Sequence, residues 1–162
     1  MKTFHDMTGK EWRIVVNVAA VKRVRDLCGV NLMDVIKVED NRISADLVDR
    51  IANDPVLLVD IVYSLCLPQA QEDGVTDIQF GERMVGDTVE AATNALLEEL
   101  VNFFPEAKKK ILRLILDATS RIRANAAVRL DKMIAETDLQ AVIDRVESAA
   151  SGSFTNSPES AE

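Results

Sequence analysis

One histidine, His5, and two cysteines, Cys28 and Cys66, are the only groups from which nucleophilic or soft-metal chemistry can be built in this 162-residue chain. A Ser-His-Asp or Cys-His arrangement needs a nucleophile, a base and an orienting group in mutual reach. No spacing brings His5 to Cys28, to Cys66 or to a particular serine, so an exposed hairpin histidine is the expectation. Four nitrogen or sulfur ligands make a structural zinc site, and three such residues in the whole chain fall short. Buried reduced thiols are expected for the two cysteines, although the sequence leaves a disulfide between them open.

Carboxylates are plentiful as adjacent pairs: Glu39-Asp40, Glu72-Asp73 and Glu98-Glu99. Neighbouring residues on a helix point about 100° apart, and nothing in the flanking sequence builds the apolar pocket that would raise one pKa for acid work. Gly81 and Gly86 resemble the ends of a phosphate-binding loop only in spacing. No strand leads into them, and Asp87 stands where a lysine would be needed.

The cations form two groups. Lys22, Arg23 and Arg25 occupy one short segment, and Lys108-Lys109-Lys110 with Arg113, Arg121 and Arg123 another. A phosphate-tracking surface interleaves such cations with aromatic side chains, and aromatic residues are only 4% of this chain, so nucleic acid is not the expected partner. The lysine run also falls in the first turn of a helix, where the macrodipole disfavours cations, so an anionic surface is expected opposite it. Candidate interaction residues are therefore Trp12, Lys22, Arg23, Arg25, Lys108, Lys109, Lys110 and Phe154. No catalytic, cofactor-binding or metal-binding residue emerges.

The elements that position these groups are mainly helices. Lys2–His5 and Glu11–Asn17 alternate around a loop with Asp6 and Gly9, which predicts an N-terminal β-hairpin over about residues 1–17 with a free edge for docking. Asn17 caps a helix over Val18–Cys28 that ends at Gly29. A short apolar turn follows Asn31, a loop covers Lys37–Arg42, and Ser44 caps Ala45–Ala52. Asp54-Pro55 starts a nearly all-apolar helix that Pro68 is expected to end. Thr76 and Gln79 form a capping box for a helix closed by Gly86.

Two long arms come next. Asp87 with Glu90 opens the first, whose Val89, Ala92, Leu96, Leu100 and Phe103 share one face. Pro105 breaks the chain, and the second arm carries Ile111, Ile115, Ala118, Ile122, Ala126, Leu130 and Met133 along one stripe. Residues 70 to 106 hold nine Asp or Glu against one Arg, and residues 107 to 132 hold eight Lys or Arg against two Asp. These opposite signs predict a long antiparallel helix pair. Asp138 caps a last helix, Leu139–Ala149, and residues 151–162 have the composition of a disordered tail with Phe154 as its one anchor.

The fold class is thus mainly α: a single helical domain over 1–150 with a short hairpin and a long helix pair. Hydrophobic residues make up 48% of the chain, enough for a real core. The net charge is −8 and the isoelectric point about 4.7, which disfavours unspecific binding to nucleic acid or an anionic membrane. No apolar run reaches the roughly 18–20 residues of a membrane span, and the start lacks an apolar signal core, so a cytoplasmic location is expected.

Four stretches carry a resemblance: F-H-D-M-T-G-K-E-W-R-I-V-V-N-V-A-A-V-K-R-V-R, D-P-V-L-L-V-D-I-V-Y-S-L-C-L-P, G-V-T-D-I-Q-F-G-E-R-M and A-L-L-E-E-L-V-N-F-F-P. The chain resembles, over about its first two-thirds, small proteins of phage and prophage tail-gene clusters that act as tail assembly chaperones. The resemblance implies a mainly helical, non-enzymatic protein of the bacterial host cytoplasm, without cofactors, that binds the tape-measure protein and recruits tail-tube proteins. It transfers no residue roles. A structural virion component, such as a connector or tail-completion protein, is the alternative, and a DNA-binding regulator or an enzyme stands behind both. Should the chain form a homo-oligomer, the hairpin edge and Val18–Cys28 are the first surfaces to consider.

Overall fold

Apolar residues at period two begin the chain, and they pair. In the computed structural model, which describes residues 1–39, 42–136, 143–145 and 147, strands β1 (Lys2–His5) and β2 (Glu11–Ile14) run antiparallel with Phe4 opposite Trp12. Phe4, Trp12 and Ile14 point to one face and are buried. A two-stranded sheet is marginal alone. This one is stabilised by lying on helices, β1 along α5 (Asp87–Phe103) and β2 on α3 (Pro55–Glu72).

Helix α1 (Val18–Cys28) has the bounds its caps predict. Asn17 accepts from the Ala20 amide at 2.9 Å, and Gly29 at φ 66° closes the helix in the left-handed region, where glycine is favoured. A 3₁₀ turn, Leu32–Val35, follows its Asn31 cap. From the segment expected as a loop, β3 (Lys37–Glu39) pairs antiparallel with β4 (Arg42–Ser44) as a second two-stranded sheet. Helix α2 (Asp46–Asn53) begins one residue later than expected, because Ser44 Oγ lies 3.5 Å from the Asp46 amide, too far for a good cap.

Helix α3 is the central element, and Pro68 does not end it: the helix continues to Glu72. A proline in a helix leaves the carbonyl four residues earlier without its amide partner. That carbonyl belongs to Ser64, a residue only 2% exposed, and it accepts a hydrogen bond from Arg23 Nη1 of α1 at 2.8 Å. The tertiary neighbour replaces the missing donor. At the other end Asp54 caps the helix through the Leu57 amide at 3.0 Å, with Pro55 in the first turn as expected.

The Thr76–Gln79 capping box is present on the short helix α4 (Asp77–Glu82). Gly86 lies beyond that helix and serves as the N-terminal boundary of α5 at φ 55°, so Asp87 is the first helical residue and makes no cap. Phe104, in extended conformation before Pro105, separates α5 from α6 (Glu106–Glu136). Helix α5 directs its apolar face at β1 and α3. From α6, Leu112 is fully buried in that core, with Ile111, Ile115 and Leu116 packed partly against it. The expected buried stripe does not continue: Ile122 and Leu130 are 68% and 58% exposed.

The chain divides into two compact units, Met1–Leu116 and Asp117–Glu162. All the packing described above belongs to the first. The second contains the remainder of α6, and Ile143, Asp144, Arg145 and Glu147 are helical. The rest of the expected last helix and the 151–162 segment with Phe154 lie outside the described residues. Among the described residues no single helix is long and apolar enough to cross a membrane. Helices α2 and α3 pass that test only as a pair bent by 101°, and Leu47, Val48, Ile51, Leu58, Ile61, Val62 and Leu65 of that pair are buried in the first unit, while Val56 is exposed.

Candidate functional site

Three cations of α1 that look alike in sequence are separated by the helix period. Lys22 and Arg25 are three residues apart and share a face, whereas Arg23 is rotated by about 100° from Lys22 and reaches α3. Val18 and Val21 lie on the Lys22–Arg25 side. Together with Met33 of the 3₁₀ turn and Phe103 at the end of α5 they line a groove of about 320 Å³. Its walls are apolar: Val18 is 77% and Met33 37% exposed, Val21 is buried and Phe103 half-buried.

The groove's cationic rim has two characters. Arg25 Nη2 donates to Asn31 Oδ1 at 2.9 Å, and the same oxygen accepts from the Met33 amide at 3.2 Å, so Arg25 and Met33 are held by one residue. Arg25 also sits in the last turn of α1, where the helix dipole favours a cation. Lys22 is exposed and makes no ion pair among the described residues. Arg23, by contrast, is committed to Ser64 and holds the helix around Pro68.

Trp12 is not a surface anchor. It is fully buried, its ring 4.8 Å from that of Phe80 in an edge-to-face arrangement, because β2 turns that side of its pleat onto the helices. Its indole Nε1 donates to Asp6 Oδ2 at 2.9 Å. Asp6 Oδ1 accepts from the Thr8 amide (2.9 Å), the Thr8 hydroxyl (2.6 Å) and the Lys10 amide (3.1 Å), which shapes the hairpin loop. Burial pushes the Asp6 carboxyl upward, but the bonds from Thr8, Trp12 and Lys10 outweigh it and hold the group below the usual carboxylate range.

Nor is the β2 edge free for docking. The Gln69 side chain accepts from the Arg13 amide at 3.1 Å and donates to the Glu11 carbonyl at 2.8 Å, standing in for a neighbouring strand. The helix beyond Pro68 brings it there. A proline-terminated helix, as expected from sequence, would have left that edge open.

Cys66 is buried, its thiol pushed up to about 12 by desolvation. Cys28 Sγ lies 3.2 Å from Ser64 Oγ, and burial raises its thiol as well, so neither supplies a thiolate at neutral pH. His5 faces Glu11 across the hairpin and is exposed. Glu98 pairs with Lys2, and Glu99 lies 2.8 Å from the Met1 amino group. These anions of α5 thus face β1, which lies along that helix, rather than the lysine run. Lys109 pairs with Glu106 of its own first turn at 3.3 Å, Lys108 lies over the Phe104 ring at 5.6 Å, and Lys110 is exposed.

Among the described residues no group of three or more His, Cys, Asp or Glu is placed to hold a metal ion. The residues that sequence reasoning missed are Met33 and Phe103 of the groove and Gln69 of the β2 edge. Only their arrangement in space marks them, since half-buried and fully buried apolar residues look alike in one sequence. Compared with family models, curated proteins and solved structures, the chain matches none.

Proposed function

We propose that this chain is a non-enzymatic tail assembly chaperone: it binds the tape-measure protein in the host cytoplasm and assists recruitment of tail-tube subunits. The observation that carries the reading is the groove beside α1, a half-open apolar trough with Lys22 and Arg25 on its rim. Exposed apolar surface framed by charge is how proteins recognise other chains. The stretches that resemble the chaperone family fall on the hairpin, most of α1 and α3, α4 and the second half of α5, and they include Val18, Val21, Lys22, Arg25 and Phe103 of the groove.

The test is co-expression with a tape-measure protein from the same genome, followed by size-exclusion chromatography with light scattering. A soluble complex, with the tape-measure chain insoluble alone, is the expected result and also fixes the stoichiometry. Recovery of this chain from purified particles, with no tape-measure complex, overturns the reading in favour of a structural virion component.

A further inference from the structure

We infer that the groove between α1, the 3₁₀ turn and the end of α5 is a docking site for an acidic amphipathic helix of another protein. The inference deepens the protein-binding reading by naming the partner's chemistry and the residues that meet it. The trough lined by Val18, Val21, Met33 and Phe103 accepts apolar side chains. Met33 adds an unbranched, polarisable wall that adapts to their shape. Lys22 and Arg25 stand one helical turn apart, about 4.5 Å along the axis. Carboxylates three or four residues apart on a partner helix have the same spacing, so the two rims match when the partner's apolar stripe enters the trough.

The sign of the charge is what selects the partner. The chain carries a net charge of −8, so its long-range field favours basic partners. At the groove the lining charges are positive: among the described residues Lys22 and Arg25 make no ion pair, and the Arg25 side chain donates to a neutral amide oxygen. Within the Debye length of about 8 Å at physiological salt a docked helix meets these two lining cations, with Asp26 of α1 and Asp34 of the 3₁₀ turn as neighbouring anions outside the groove lining. An acidic segment meets cations here together with an apolar trough.

The experiment uses the full chain and a fluorescent peptide of about 14 residues, with leucines along one stripe and glutamates flanking it. A second peptide has every glutamate replaced by lysine. Fluorescence anisotropy is expected to show tighter binding of the acidic peptide, and NMR is expected to show shifts of the Val18, Val21 and Met33 methyl groups. K22E leaves the Arg25–Asn31 bond in place and should weaken the acidic peptide about tenfold while not weakening the basic one. V18D, at a residue already 77% exposed, should weaken it without changing the melting temperature.

Equal or tighter binding of the basic peptide, shifts confined to other surfaces, or no effect of K22E each overturns the proposal. So does binding to phosphatidylglycerol vesicles with no response to the acidic peptide. A tape-measure complex that survives K22E and V18D unchanged removes the groove but leaves the chaperone reading standing. Acidic-peptide binding at the groove without any tape-measure complex does the reverse.

Discussion

Arg23 and Pro68 form a pair whose energies can be separated by a double-mutant cycle. In the native chain the Ser64 carbonyl, which Pro68 cannot bond, accepts from the Arg23 guanidinium at 2.8 Å, and Ser64 is buried. Replacing Arg23 by alanine leaves that carbonyl without a partner, which costs about 1–3 kcal/mol. For a chain of this size each kcal/mol lowers the melting temperature by about 2–4 °C, so R23A should fall by roughly 2–12 °C. In the P68A background residue 68 regains its amide hydrogen and can bond Ser64 itself. The cost of R23A should then drop, leaving a coupling energy of about 1–2 kcal/mol. R23K should recover part of the loss, because an ammonium donates to one acceptor but on a shorter, differently shaped stem.

Trp12, the only tryptophan and fully buried in the first unit, reports the transition by fluorescence in a urea titration. If R23A costs the same with and without Pro68, the guanidinium acts through packing rather than by satisfying the carbonyl. The account of how α3 passes its proline would then be wrong.

Acid should act on the first unit through Asp6. Its folded pKa is lower than its unfolded one, so the unfolded chain takes up the proton first; the stabilisation is full above about pH 4 and lost as pH falls through the folded value. The Trp12 unfolding curve should shift to lower urea between pH 5 and pH 2.5, and D6N should show a smaller shift. Substituting Gln69 by alanine should open the β2 edge and speed hydrogen exchange at the Arg13 amide, while exchange at Val24 in α1 stays unchanged. Cys28 should react with a thiol reagent at pH 8 more slowly than free cysteine, and Cys66, with its thiol at about 12, only after unfolding. Rapid labelling of both thiols in the folded chain would show that the α1–α3 packing is looser than described.

Local signals were legible because they act over a few residues. Asn17 and Gly29, Asp54-Pro55, and Thr76 with Gln79 each satisfy or terminate backbone groups within one turn, so type and spacing suffice to place α1, the start of α3 and the start of α4. The alternation of Trp12, Ile14 and Val16 with the Asp6 and Gly9 loop sufficed for the hairpin in the same way. The β3–β4 strands escaped notice because three residues each are too few to establish an alternation.

Other properties depended on partners distant in sequence. Whether Pro68 stops a helix was decided by Arg23, 45 positions away, and whether the β2 edge stays open was decided by Gln69, which that continued helix carries into place. The charge pattern of the two long arms was plain in the sequence, yet β1 lies along α5 and takes up Glu98 and Glu99, which no periodicity records. The groove has the same origin. Composition determined that apolar faces exist and that cations accompany them; only the packing of α1, the 3₁₀ turn and α5 decided which of those faces was left facing solvent, because burial is a property of neighbours and not of a residue.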